Sequence, residues 1–304
     1  MTLAGRAVRR VTRAGWAHSL LRRIAAVRGY SVVLVYHRVG PPGGGAVPTI
    51  SEELFATQIR LLKELGPVVD APQLLRDPAP GEVRFALTFD DDYRSHLERV
   101  VPILVREGIT GTFFLSGRSL FGLGPYPFET LDHLLRSHSA EGVARLLGIE
   151  AGDADDILKA LLSDPDVAAR AAAAAPGPGY HLGSDQIAQL AAAGMKVGFH
   201  TLEHNELGSL ADERLRDAVC RGRDELRAAS GSEVDLFAYP YGRGDPRVAR
   251  AVKEAGYSAA FTGIPGPVTR RTDPYLVPRW EPGPLGETEF VAEIAIRLLR
   301  RARA

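Results

Sequence analysis

The sequence predicts a single α/β domain built on a parallel sheet, either open or closed into a barrel. Short apolar runs, which indicate buried strands, alternate along the chain with amphipathic stretches, which indicate helices. Reactive residues follow three of the apolar runs, and parallel sheets bring such residues together at the carboxyl ends of their strands. These observations predict a functional site at one edge of the sheet.

The first part of the chain contains two units of strand, loop and helix. Residues 31–36 form a continuous apolar run that indicates a buried strand, and a loop rich in Gly and Pro follows. Apolar residues at helical spacing between 54 and 65 then predict a helix capped by Thr49 or Ser51. The next predicted elements are a strand at residues 85–89, a helix at 100–105 and a strand at 111–115.

Residues 117–183 interrupt this alternation. They are rich in Ala and predict helices around 130–147 and 155–175 but no strand, so we expect a helical insertion on one face that could act as a lid. Its histidines lack metal-ligand spacing, and we expect them at the surface: His133, His138 and His181.

The alternation resumes after the insertion. A helix begins at Ser184 and ends at Gly194. The remaining predicted elements are strands at residues 196–199, 236–239 and 257–261, and helices at residues 212–229 and 246–255. We therefore predict one domain over residues 31–290, flanked by a basic helical segment at 1–30 and a basic tail at 291–304.

Composition limits the classes of partner. The 37 basic residues balance the 37 acidic residues, which gives no indication of nucleic-acid binding. The single cysteine, Cys220, excludes an internal disulfide and a cysteine-rich metal site. We expect a cytoplasmic protein without a signal peptide or transmembrane helix, because arginines interrupt every apolar run of the first thirty residues. The basic ends predict either peripheral contact with the inner membrane surface or two helices with solvated basic faces.

Three consecutive carboxylates, Asp90, Asp91 and Asp92, follow the strand at residues 85–89. Because like charges repel, a fold that buries them needs a cation or hydrogen bonds, although an acidic turn that caps a helix is the simpler interpretation. His200 and His204 follow another predicted strand at i, i+4 spacing, which allows both imidazoles to face one cation. Two histidines and one carboxylate form a metal site with open positions for water, and the joint arrangement favours it over chance spacing.

Asp90 is the candidate general base. If Asp91 binds the metal, its neighbour cannot easily bind it too, because adjacent residues at a strand end point in different directions. Asp90 is then free to take a proton from a metal-bound water. A base beside a Lewis acid indicates hydrolysis of a carbonyl compound.

Three motifs resemble those of the polysaccharide deacetylases, the NodB-homology group of carbohydrate esterase family 4. They are Leu-Thr-Phe-Asp-Asp at residues 87–91, His-Thr-Leu-Glu-His at 200–204 and Phe-Ala-Tyr-Pro-Tyr-Gly at 237–242. The resemblance covers most of residues 31–282, with the insertion outside the common core. It implies a distorted (β/α) barrel with fewer than eight strands and metal-dependent removal of acetyl groups from sugars.

The resemblance also implies roles for individual residues. Asp90 would be the base, and Zn²⁺, or else Co²⁺ or Mn²⁺, would be bound by Asp91, His200 and His204. The backbone N–H of Tyr241 would help to stabilise the oxyanion. The candidate substrate contacts are Tyr239, Pro240 and Trp280, of which the Tyr239 and Trp280 rings either stack on a sugar or belong to the core.

The chain departs from the family pattern at several positions. Asp92 stands where the family usually has Gly. Ala238 stands where the family usually has an Arg that steadies the catalytic Asp. Arg279 could reach the same carboxylate from a later strand end, or could be a surface residue that flanks a buried Trp.

The usual late acid histidine is absent, because no histidine follows His204. Residues 36–39, Tyr-His-Arg-Val, resemble the N-terminal motif of the circularly permuted branch of the family, which deacetylates exopolysaccharides of N-acetylglucosamine type. This resemblance implies His37 as the general acid, whereas a histidine that merely caps the strand is the alternative.

We therefore predict a metal-dependent deacetylase that acts on an N-acetylated sugar in a polysaccharide, oligosaccharide or glycolipid. A hydrolase of a small or lipid-linked N-acyl substrate is one alternative. A catalytically impaired carbohydrate-binding homologue is the other, supported by the altered third motif and the missing late histidine.

Overall fold

The computed structural model describes residues 30–41, 49–76, 82–174 and 181–299. The basic segment predicted at 1–30 lies outside the described residues apart from Tyr30, as do residues 175–180 and residues 300–304.

Six parallel strands form the central sheet in the spatial order β1-β4-β5-β6-β7-β8. The strands are β1 (Ser31–Tyr36), β2 (Arg38–Val39), β3 (Thr49–Ile50), β4 (Arg84–Asp90), β5 (Thr112–Leu115), β6 (Lys196–Phe199), β7 (Leu236–Ala238) and β8 (Ala259–Phe261). The short parallel pair of β2 and β3 forms a separate sheet. The predicted α/β class with a parallel sheet is confirmed.

Residues 277–280 connect the two edge strands of the curled sheet. Val277 exchanges backbone hydrogen bonds with β8, donating to Ala260 at 2.9 Å. Trp280 exchanges hydrogen bonds with β1, donating to Val33 and accepting from Val35 at 2.9 Å each. The sheet therefore forms a distorted barrel with fewer than eight strands.

Side chains of each strand alternate between the barrel interior and the surrounding helices. In β4 the interior face carries Ala86 and Asp90, whereas Phe85 and Phe89 pack in the main core beneath the helices. The same alternation places His200, the residue after β6, on the interior face. The strand parity thus directs both candidate site residues into one end of the barrel.

Helices surround the barrel and form the insertion. They are α1 (Glu52–Leu65), α2 (Ala71–Leu75), α3 (Val101–Glu107), α4 (Pro127–Leu135), α5 (Ala140–Leu147), α6 (Ala154–Ser163), α7 (Pro165–Ala174), α8 (Ser184–Ala192), α9 (Asp212–Cys220), α10 (Arg223–Ser230), α11 (Pro246–Glu254) and α12 (Glu287–Leu299). Ser51 caps α1, accepting a hydrogen bond from the Leu54 N–H at 3.2 Å. The helix predicted at 212–229 is divided because Gly222 adopts a left-handed conformation, with φ 95°.

Helices α4 to α7 of the insertion share a hydrophobic core that is separate from the core around the barrel. Its fully buried members include Val143, Leu147, Ile157 and Ala171. The insertion is thus a small helical unit that packs on one side of the barrel mouth.

Helix α12 crosses the predicted domain boundary at residue 290. Helix α12 begins at Glu287, and its apolar face packs in the main core through Phe290, Ile294 and Leu298. Because these side chains are buried, they are not available to contact a membrane. Among the residues that the structure describes, no helix is long and apolar enough to cross a bilayer.

Candidate active site

The strand register aligns the predicted site residues along the carboxyl edge of the barrel. Tyr36 pairs with Phe89, so His37 and Asp90 come next at neighbouring strand ends. Phe199 ends β6 two strands further along, and His200 follows it. Residues distant in sequence therefore meet around one barrel mouth.

Asp91, His200 and His204 form a buried cluster that fits a divalent cation. The Oδ1 atom of Asp91 lies 3.8 Å from the Nε2 atoms of both histidines. One ligand atom from each residue lies within 4.8 Å of the others. Asp91 Oδ1 is buried without a hydrogen-bond partner, a condition that a bound cation would relieve.

The surroundings of the histidines favour the neutral form that binds metals. His200 Nδ1 donates to the backbone oxygen of Ala238 at 2.8 Å, which leaves Nε2 as the free nitrogen towards Asp91. Burial lowers the pKa of both His200 and His204. Burial also raises the pKa of Asp91, so its ionised form depends on a nearby positive charge.

The backbone around the cluster adopts uncommon conformations. Among the described residues other than glycine, those with positive φ are Asp91, Thr201, His204 and Tyr241. Such conformations cost on the order of 1–3 kcal/mol each and persist where surrounding packing enforces them. Their concentration at one strand edge marks this mouth of the barrel as a site whose side chains are held in fixed directions.

Arg279 resolves the question of which residue holds Asp90. Its Nη1 and Nη2 atoms donate to the two carboxylate oxygens of Asp90 at 2.6 Å each, and its Nε donates to the Thr262 carbonyl at 2.9 Å. Arg279 is only 1% exposed because residues 277–280 close the barrel and direct it inwards. Although burial alone would raise the pKa of Asp90, the Arg279 guanidinium holds it well below its usual range.

His37 is held at the same mouth by contacts with two other elements. Its Nδ1 lies 2.8 Å from Oε1 of Glu281, and its backbone oxygen accepts a hydrogen bond from His96 Nε2 at 2.6 Å. Desolvation alone would lower the pKa of His37, but the hydrogen bond and charge of Glu281 outweigh it and raise the pKa to about 9. Glu281 thus favours the protonated imidazole and leaves Nε2 of His37 unengaged by its carboxylate.

Glu281 is a site residue that the sequence analysis missed. It lies two residues after Arg279 in an extended segment, and this spacing is the signal that could have placed both on one face. Buried Gln58 anchors the following loop, donating from Nε2 to the carbonyls of Gly283 and Leu285 at 3.1 and 3.0 Å.

The three carboxylates do not act as one group. Asp92 is buried and accepts hydrogen bonds from the Ser116 N–H and hydroxyl at 2.7 and 2.5 Å. Asp92 therefore fixes the start of the insertion through its hydrogen bonds to Ser116. His181 also differs from its predicted surface position, because it is largely buried with its Nε2 2.6 Å from Oε2 of Glu129.

Sugar stacking by Tyr239 and Trp280 is not supported, and their alternative placement in the core is observed. Tyr239 is fully buried and its hydroxyl donates to the Tyr275 carbonyl, whereas Trp280 stacks on Phe290. Pro240 is also buried. Tyr241, by contrast, is 55% exposed with its ring 4.6 Å from that of His204, so it is an aromatic side chain available at the mouth.

A family model described as polysaccharide deacetylase matches residues 77–260, which is more than half of the chain. This chain belongs to the polysaccharide deacetylase family. The resemblance noted from its motifs is thereby confirmed, as is the prediction that it is a hydrolase. Asp90, Asp91, His200 and His204 lie within the matched residues, whereas His37 and Arg279 lie outside them.

Known proteins of the polysaccharide deacetylase family show the same similarity in sequence and fold. YxkH of Bacillus subtilis (strain 168), named for this family, is 20% identical over 252 residues, covering 81% of this chain and 69% of its own. The Streptococcus pyogenes deacetylase PplD, solved in complex with acetate, superposes with a TM-score of 0.61 and 15% identity, covering 87% of this chain and 97% of its own. IcaB from Ammonifex degensii gives a TM-score of 0.56 and 23% identity, covering 90% and 98%. These likenesses confirm the NodB-type fold.

Proposed function

We propose that this chain is a metal-dependent deacetylase that hydrolyses the N-acetyl group of an N-acetylated sugar. The observation that carries the proposal is the buried Asp90–Arg279 pair directly beside the cluster of Asp91, His200 and His204. Oδ2 of Asp90 lies 4.0 Å from Nε2 of His200, so the ionised carboxylate faces the place where the cluster would hold a cation. A general base and a Lewis acid together can activate a water and a carbonyl for hydrolysis of an amide.

The metal would be held by Asp91, His200 and His204, with Zn²⁺ as the proposed ion and Co²⁺ or Mn²⁺ as alternatives. When bound, such an ion would acidify water and polarise the acetyl carbonyl. Asp90 would accept the proton of the attacking water at a carboxylate oxygen, while Arg279 keeps that carboxylate oriented. The backbone N–H of Tyr241 would donate a hydrogen bond to the developing oxyanion.

His37 would complete the reaction as the general acid. Its Nδ1 is occupied by Glu281, so Nε2 is the atom that would donate a proton to the departing amine as the C–N bond breaks. The high pKa of His37 keeps that proton available at neutral pH. His37 would then take the place of the late histidine of the usual family pattern.

Acetate release tests the proposed function and the substrate class. Chitooligosaccharides and lipid-linked N-acetylglucosamine would be incubated with chelator-stripped protein, before and after addition of Zn²⁺ or Co²⁺. We expect metal-dependent release of acetate and free amine from at least one of them, and loss of on the order of 10²-fold or more in kcat on His37→Ala. Preference for the lipid-linked sugar would favour a glycolipid substrate. Stoichiometric metal binding without release from either would favour the carbohydrate-binding alternative.

Replacement of Glu281 by Gln should shift the pH dependence of the reaction. In the wild type, kcat/KM should fall as pH rises through the His37 pKa of about 9, because the acid loses its proton. The neutral amide of Glu281→Gln no longer stabilises the imidazolium, so the pKa falls and the alkaline limb moves to lower pH. The measurement is a pH profile of kcat/KM for both metal-loaded proteins. An unmoved alkaline limb would show that His37 is not the titrating acid.

A further inference from the structure

The two histidines of the candidate metal cluster are held in different ways. His200 is fixed by the hydrogen bond from Nδ1 to the Ala238 carbonyl. Nδ1 of His204 is buried and has no hydrogen-bond partner. Something other than a hydrogen bond at Nδ1 must therefore fix the orientation of the His204 ring.

Aromatic rings provide that contact, and two of them come from the insertion. The His204 ring centroid lies 5.2 Å from that of Tyr126 and 5.3 Å from that of Phe128. Tyr126 and Phe128 stack on each other with centroids 5.2 Å apart and planes 12° apart. Tyr241 packs against His204 from the barrel, at 4.6 Å. The imidazole thus lies against rings of both the barrel and the insertion.

The insertion also holds the backbone turn that carries His204. Thr201 and His204 have left-handed φ values of 64° and 51°, a conformation that needs support from its surroundings. The Tyr126 hydroxyl lies 3.3 Å from the carbonyl oxygens of both Thr201 and Leu202, to which it donates, and Arg118 Nη1 donates to Leu202 at 3.2 Å. Both donors belong to the insertion: Arg118 lies before helix α4, and Tyr126 immediately precedes its first residue.

We infer that the helical insertion is a positioning element of the metal site, in which Tyr126 and Phe128 orient the His204 ring and Tyr126 fixes its backbone turn. This inference rests on the proposed metal-binding function of His204. It gives the insertion a role beyond covering the barrel, because its own core closes without these two rings. The four helices hold Tyr126 and Phe128 against the barrel mouth, where both rings contact His204.

Zn²⁺ affinity separates this role from a general contribution to folding. The affinity of chelator-stripped wild type, Phe128→Ala and Phe128→Tyr would be measured by competition with a chromophoric chelator. The visible absorption spectrum of each Co²⁺-loaded protein would be recorded as well, because it reports the geometry of the ligands. The matched control is Leu147→Ala, which opens the insertion core at a fully buried position that is not in contact with His204.

We expect Phe128→Ala to weaken Zn²⁺ binding about tenfold, the lower end of the effect of residues behind a metal ligand, and to alter the Co²⁺ spectrum. Phe128→Tyr retains the ring and should restore both properties. Leu147→Ala should lower thermal stability with wild-type affinity and spectrum. Wild-type Zn²⁺ affinity in Phe128→Ala, or an equal loss of Zn²⁺ affinity in Leu147→Ala, would overturn this inference but not the proposed function. Failure of the wild-type protein to bind Zn²⁺ would overturn both the inference and the proposed function.

Discussion

Replacement of Asp90 by Asn should lower kcat on the order of 10³-fold while Zn²⁺ binding is retained. The amide keeps the size of the carboxylate but cannot take a proton from the attacking water. Asp90 is not part of the cluster formed by Asp91, His200 and His204, so the affinity for the metal should change little. The measurement pairs kcat for an N-acetylated sugar at saturating Zn²⁺ with a Zn²⁺ competition titration.

Asp91→Asn is the matched control, because it makes the same chemical change one residue further along the chain. It should lose Zn²⁺ affinity and activity together, since a neutral amide is a weaker ligand than a carboxylate. Near-normal turnover in Asp90→Asn would contradict its assignment as the base. A binding protein without turnover would be indifferent to this substitution, so the same experiment separates the enzyme from the carbohydrate-binding alternative.

Replacement of Arg279 by Met should destabilise the fold by roughly 3–5 kcal/mol at neutral pH, because it leaves the buried Asp90 carboxylate without its partner. Turnover should fall as well, since the base loses the contacts that orient it. Urea unfolding monitored at neutral pH measures the free energy of unfolding, and a kcat determination accompanies it. Arg227→Met is the control, because its ion pair with Asp224 is exposed and should contribute about 0–1 kcal/mol.

The pH dependence of this effect follows from the direction of the Asp90 pKa. The folded-state pKa of Asp90 lies below its unfolded value. The pair with Arg279 therefore contributes its full stability above the unfolded pKa and loses it as pH falls through the folded pKa. The difference in stability between wild type and Arg279→Met should accordingly shrink under acidic conditions. If the difference in free energy of unfolding between wild type and Arg279→Met stayed constant as the pH is lowered, the Asp90–Arg279 ion pair would not be its source.

Local motifs and strand order were sufficient to bring together the residues of the candidate metal cluster. Asp91, His200 and His204 each follow a predicted strand, and the carboxyl ends of parallel strands share one edge whatever the curvature of the sheet. The parallel sheet followed from the same alternation of strands and helices, whereas its closure into a barrel was implied only by the resemblance of the motifs. These features depend on short segments whose periodicity is visible in the sequence.

The features left open or missed depend on how the barrel closes. Arg279 and Glu281 reach the site because residues 277–280 connect β8 with β1, and this segment is too short to show periodicity. The same closure buries Trp280. Tyr239 is also buried, and its hydroxyl donates to the Tyr275 carbonyl. Sequence alone could not separate core aromatics from exposed ones at these positions.

Packing of the insertion was equally hidden in the sequence. Its Ala-rich composition predicted helices, but the placement of Tyr126 and Phe128 against His204 joins residues about 75 positions apart in the chain. The basic C-terminal segment was interpreted as a tail because its arginines are conspicuous, whereas Phe290, Ile294 and Leu298 direct α12 into the main core. In both cases the packing depends on contacts between residues distant in the sequence, which the local pattern of residues does not show.

Chelator-stripped protein titrated with Zn²⁺, with acetate and free amine measured on an N-acetylated sugar, tests the metal site and the reaction together. We expect activity to rise with added Zn²⁺ and to reach its plateau at one equivalent, with acetate and amine formed in equal amounts. We expect no such rise in His204→Ala over the same range. Full release of acetate before any metal is added, or an equal rise in His204→Ala, would contradict the claim that Asp91, His200 and His204 form the metal site of a deacetylase.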